Sequence, residues 1–107
     1  MSKAPKEKPG EPGGLVLERT KTKRPGFYSV LLHNDDYTTM DFVVEVLRRF
    51  FHKSEVEAMA IMLQVHKQGM GLAGIYTRDV AETKCYLTME YATKKGHPLK
   101  CTVERQQ

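Results

Sequence analysis

Hydrophobic and polar positions run along the chain in two rhythms, and each predicts its own kind of element. The run FYSVLLH from Phe27 to His33 is short and rich in β-formers, which suits a strand. Asn34, Asp35 and Asp36 end it; they are turn residues whose side chains bond nearby backbone groups. Thr38 with Asp41 three positions later has the spacing of a capping box and predicts a helix start. Met40, Val43, Val44, Leu47, Phe50 and Phe51 follow at intervals of three and four, the apolar stripe of an amphipathic helix. Ser54 and Glu57 repeat the capping signature, and Val56, Met59, Ala60 and Leu63 lay down a second stripe on a helix ending near Gly69.

The glycines at 69, 71 and 74 bracket a short strand through Ile75 and Tyr76, after which Thr77 is placed to cap a third helix from about Arg78 to Lys95. Gly96 sits where a left-handed C-terminal residue is wanted, and Pro98 forbids continuation. Leu99, Cys101 and Val103 then alternate as one face of a last strand. The order is β-α-α-β-α-β. Strands too short to stand alone and helices with apolar stripes to cover are both satisfied by one small α+β domain, a sheet with helices on a face.

Composition narrows the class of function. With 107 residues, 40% hydrophobic and 28% charged, the chain has room for one small soluble domain. No apolar stretch approaches the roughly 20 residues of a membrane span, and the first 26 residues lack the apolar core of a secretory signal, so a cytoplasmic protein without a membrane partner is expected. Cys85 and Cys101 are too few for a disulfide scaffold and have no metal-ligand spacing, which favours reduced, buried thiols. The net charge of +4 is concentrated in residues 1–26, where seven Lys and Arg face three Glu; from 27 to 107 ten basic residues balance ten acidic ones. A domain without excess positive charge has little with which to hold a phosphate backbone, so no nucleic-acid partner is expected. Residues 1–26 also hold four prolines and four glycines, and read as a flexible basic tail ahead of a folded core over 27–107.

The chemistry lies in two polar features. Asn34, Asp35 and Asp36 form the densest polar cluster beside an apolar run, and His66 falls on the flank of the second helix's apolar positions, where a partly buried, satisfied histidine is the plain reading. Asn, Asp and a neutral His offer acceptors and negative charge, which match an ammonium group with three N–H donors. Met40, Val43, Met62 and Val65 lie close by in sequence and are suited to wall an apolar cavity, methionine being adaptable. An amine beside a hydrophobic side chain describes the first residue of a peptide. Catalysis has less behind it: His33, Asp35, Asp36 and His66 lack fixed metal-ligand spacing, neither cysteine adjoins a histidine, and no phosphate-binding glycine motif is present, so neither a metal nor a cofactor is expected.

The stretches VLLHNDDYTTMDFVVEVL and MLQVHKQGMGLAGIYT, the block VAETK at 80–84 and the ending GHPLKCTVE together resemble the ClpS family of bacterial N-end rule adaptors over roughly residues 27–104. The resemblance implies a three-stranded antiparallel sheet covered by three helices. It also implies a non-enzyme that hands proteins with N-terminal Leu, Phe, Tyr or Trp to the ClpAP protease. On the matching positions, Asn34, Asp35, Asp36 and His66 would hold the free α-amine. Leu32, Thr38, Met40, Val43, Met62, Val65 and Leu99 would shape the side-chain pocket, with Met40 a gate against β-branched residues. Asp79, Glu82, Thr83 and Lys84 would meet the N-terminal domain of a ClpA-type unfoldase. Two departures stand out: Thr39 occupies a position where the family usually has proline, and the tail aligns with nothing. Two rival readings share the topology, a docking domain like that of the ribosomal stalk protein and the recognition module of a ubiquitin-ligase-type pathway.

Overall fold

The computed structural model describes residues 26–106. The basic tail expected over 1–26 lies outside the described residues except for Gly26. Three strands, β1 (Phe27–His33), β2 (Met70–Thr77) and β3 (Lys100–Arg105), form an antiparallel sheet in the order β2-β1-β3. Three helices, α1 (Met40–Phe51), α2 (Glu55–Gln68) and α3 (Arg78–Lys94), complete the predicted order. The middle strand carries the most continuous apolar sequence, as a strand flanked on both sides should: Val30 and Leu32 are wholly buried beneath the helices, with Ala73 and Cys101 beside them.

Helix boundaries follow local chemistry. Ser54 and Glu57 form the expected capping box, with Ser54 N–H donating to Glu57 Oε1 at 2.9 Å and Glu57 N–H to Ser54 Oγ at 3.1 Å. Gly96 has φ +83°, a conformation open to it for want of a Cβ, and turns the chain out of α3. Between α2 and β2 the limit is space: a Cβ on Gly71 would stand 2.7 Å from Val65 Cγ2, so only glycine lets the helix lie this close to the strand. Beside it, an extra residue at Ala73 breaks the β1–β2 register between Val30 and Leu31, and this bulge turns Ala73 into the core.

Two expectations are corrected. On α1 the buried positions are Phe42, Val43, Val46, Leu47 and Phe51, while Met40 at the helix start is 44% exposed. On α2 the expected stripe faces solvent: Val56 is 80% exposed, and Met59 and Leu63 are also exposed. Ala58, Met62 and Val65 are the residues that pack inward, against α1 and β2. Both sets have helical spacing, so α2 carries two apolar faces, and periodicity alone has no means of choosing between them. Cys85 and Cys101 are buried free thiols, Cys85 donating to the Cys101 carbonyl at 3.0 Å.

Candidate functional site

The segment from Asn34 to Thr39 leaves the middle strand and must reverse into α1, and one carboxylate organises it. Asp35 Oδ1 accepts from the N–H groups of Tyr37 at 2.8 Å and Thr38 at 2.7 Å, and Oδ2 accepts from the Thr38 hydroxyl at 2.7 Å. A charged acceptor binds these donors more strongly than a neutral one, and the Thr38 hydroxyl is therefore committed to Asp35. This moves the helix cap one residue on from the expected Thr38: Thr39 Oγ1 accepts from Phe42 N–H at 3.1 Å. Burial works to raise the Asp35 pKa, but the bonds from Thr38 and Tyr37, together with the positive field of His97, outweigh it and hold the carboxyl below its ordinary value of 3.8. Asn34 N–H donates to the Gly69 carbonyl at 2.9 Å, which fastens the turn to the end of α2.

Between this turn, the start of α1 and the second half of α2 lies a cavity of about 420 Å³. Asn34, Asp35, Asp36 and His66 line its polar side, and Val43, Met62 and Val65, all buried, make its apolar floor. Met40 and Thr38 complete the predicted wall, so nine of the eleven expected residues surround one hollow. His66 is exposed rather than partly buried, because it stands on the lip of the hollow and not within the helix packing. Leu32, 0% exposed, and Leu99, 5% exposed, do not line the cavity; they belong to the core cluster. Thr39 and Tyr37 were not anticipated in the wall. Tyr37, at 78% exposure, carried a sequence signal in being an aromatic residue inside a run of turn formers.

What this arrangement can do chemically follows from its two sides. Three of the roughly four lone-pair directions of Asp35 are used by its own turn, so it acts chiefly by ordering the loop and by its charge. Asn34, Asp36 and His66, with the Tyr37 hydroxyl, are the exposed polar groups left to meet a ligand. The hollow therefore combines acceptors and negative charge at its mouth with an apolar base. His33 does not join it; its Nε2 pairs with Thr102 Oγ1 at 2.7 Å across the sheet. Among the described residues no three His, Cys, Asp or Glu side chains gather as a metal site, and no helix is long and apolar enough to cross a membrane.

The other predicted cluster lies at the start of α3. Asp79, Glu82 and Thr83 are exposed, and Glu82 pairs with Arg78 at 3.3 Å. Lys84 turns inward: its ammonium donates to the Phe50 carbonyl at 2.7 Å in the last turn of α1 and lies 5.2 Å from the Tyr76 ring centroid. Val80 and Leu87 stand exposed on the same helix.

A model of the family described as "ATP-dependent Clp protease adaptor protein ClpS" matches residues 23–102. The chain belongs to the ClpS family. It is 55% identical over 100 residues to the ATP-dependent Clp protease adapter protein ClpS of Deinococcus radiodurans, spanning 90% of this chain and 88% of that one. It is 53% identical over 94 residues to the ClpS protein of Parvibaculum lavamentivorans, spanning 88% and 86%. Among solved structures, Agrobacterium tumefaciens ClpS2 bound to L-phenylalaninamide superposes with a TM-score of 0.73 at 37% identity, over 78% of this chain and all of that one. ClpS proteins are adaptors of the ATP-dependent Clp protease, and this chain has their three-stranded sheet and three helices.

Proposed function

We propose that this protein captures polypeptides by a free N-terminal residue with a bulky hydrophobic side chain, Leu, Phe, Tyr or Trp, and delivers them to a ClpAP-type protease in the bacterial cytoplasm without performing chemistry itself. The observation that carries the reading is the single hollow that joins Asn34, Asp35, Asp36 and His66 to the apolar floor of Val43, Met62 and Val65. The ligand of the Agrobacterium relative supports it: L-phenylalaninamide has a free α-ammonium, a bulky apolar side chain and a carboxyl masked as an amide, which is the chemistry of a peptide's first residue.

The mechanism is a conjunction of two weak selections. Burying a Leu or Phe side chain contributes about 1.5–3 kcal/mol, too little to single out one residue among a cell's exposed hydrophobes. Asn34, Asp36 and His66 accept from the ammonium, and Asp35 orders the turn that carries Asn34 and Asp36 while adding negative charge. An internal leucine offers an amide in place of the ammonium, and its preceding residue would have to be fitted among Asn34, Asp36 and His66. Met40, a half-exposed part of the wall, disfavours side chains branched at Cβ. Asp79, Glu82 and Thr83 on α3 meet the N-terminal domain of a ClpA-type unfoldase, and Lys84 braces that surface from behind.

Fluorescence anisotropy with peptides that differ only in the first residue tests the reading. Leu, Phe, Tyr and Trp should bind at least tenfold more tightly than Ile, Val or Lys. Equal binding across the series would overturn it.

A further inference from the structure

Behind the cavity stands a residue that belongs to neither cluster. His97 lies in the turn between α3 and β3, its backbone N–H bonded to the Ala92 carbonyl at 2.8 Å. Its imidazole is stacked on Phe42, with ring centroids 4.0 Å apart and planes inclined by 21°. Tyr91 stacks on the same phenyl ring at 5.6 Å, and Phe42 is 5% exposed. Through its backbone Phe42 belongs to the site, since its N–H is the group that Thr39 caps, and Thr39 and Met40 line the cavity. His97 also acts on the turn: after burial, which opposes it, and the bonds from Thr38 and Tyr37, the His97 charge helps to keep the Asp35 carboxyl ionised. One side chain thus addresses both halves of the hollow. It packs on the start of α1 by a ring stack, and its charge favours the ionised form of the carboxyl that orders the Asp35 turn. The relative placement of those two parts sets the spacing between polar mouth and apolar floor.

We infer that His97 is a positioning residue for this site, setting the Asp35 turn against the start of α1 without touching the ligand. The inference rests on the proposed recognition of a chain end. Its two contributions are separable, because a phenyl ring supplies the stack without the charge and a methyl group supplies neither.

The test compares wild type, His97→Phe and His97→Ala by anisotropy with a Leu-started peptide from pH 5.5 to 8.5. Amide NMR of Tyr37 and Thr38 is followed in the free proteins over the same range. The elements that meet at His97 also carry Asp41 and Glu45 on α1, Lys94 at the end of α3 with Lys95 just beyond it, and Lys100 on β3, which do not ordinarily titrate in this range. His33, His52 and His66 are common to all three proteins, and because His66 lines the hollow with Tyr37 and Thr38, the amide titration is carried out in a His66→Gln background. Loss of the stack in His97→Ala should weaken binding about threefold to tenfold, with His97→Phe recovering most of it at pH 8. In the His66→Gln background the Tyr37 and Thr38 amides should show an inflection when His97 is present, and in His97→Phe they should stay flat. Wild-type affinity in His97→Ala, or an inflection that persists in His97→Phe, overturns the inference. Should wild type bind no Leu-started peptide, the recognition reading fails while the amide titration still decides whether His97 sets the turn; should His97→Ala not fold, the His97→Phe titration decides.

Discussion

The turn at 34–39 and the first turns of α3 are both polar surfaces beside an apolar core, yet they are built in opposite ways. At the turn, polar side chains converge on a hollow of about 420 Å³, and Asp35 spends its lone pairs on holding that hollow open. On α3 the polar side chains Asp79, Glu82 and Thr83 diverge into solvent from a regular helix, while Lys84 is drawn inward to the end of α1. A concave, self-ordered cluster suits a small ligand that must be enclosed, whereas a diverging helical face suits a second folded surface. Under the proposed function, the difference means that damage to capture and damage to delivery should be separable.

The largest separation should come from Asp35→Ala. It strands the Tyr37 and Thr38 donors and removes a charge, and hydrogen bonds to charged groups contribute about 1.5–3 kcal/mol, so affinity for a Leu-started peptide should fall roughly tenfold to a hundredfold. Binding to the unfoldase domain, measured by calorimetry, should not change; a parallel loss would mean that the two surfaces are not independent. Glu82→Lys should do the reverse, weakening that docking about tenfold through charge reversal while peptide affinity stays within twofold. If it impairs peptide binding as much as docking, the division fails. Met40→Ala opens the mouth without touching the polar side, and should bring Ile and Val within a few-fold of Leu while changing Leu binding little; selectivity retained in anisotropy would remove Met40 as the gate.

The smallest effect is on stability in acid. Because the folded protein depresses the Asp35 pKa, this group stabilises the fold fully above its ordinary value of 3.8, and the contribution is lost as pH falls below that value and through the lower folded one. Thermal unfolding should therefore show a steeper decline below about pH 4 in wild type than in Asp35→Asn. Identical acid limbs would contradict the Asp35-centred turn.

How much of this was legible in the sequence differs between the same two regions. Strand and helix order was readable because Ser54, Gly96 and Pro98 punctuate the chain by local chemistry, independent of what packs where. The membership of the hollow was largely readable too, since Asn34, Asp35 and Asp36 cluster beside an apolar run and His66 is polar where a hydrophobe was expected. Orientation was not. Two adjacent threonines are equally good caps until Asp35 claims Thr38, and α2 bears two helical stripes of which tertiary packing buries only the one through Ala58, Met62 and Val65. Leu32 and Leu99, assigned to the wall by the family resemblance, are drawn into the core, and the inward reach of Lys84 depends on a carbonyl 34 residues away.

The central claim is that a cationic chain end and its hydrophobic side chain are read together in one hollow. It is tested most directly by titrating a Leu-started peptide and its Nα-acetylated twin against the wild-type protein. Removing one partner of a desolvated charge pair costs about 2–5 kcal/mol, so acetylation should weaken binding by well over an order of magnitude. Equal affinity for the two peptides would contradict the account.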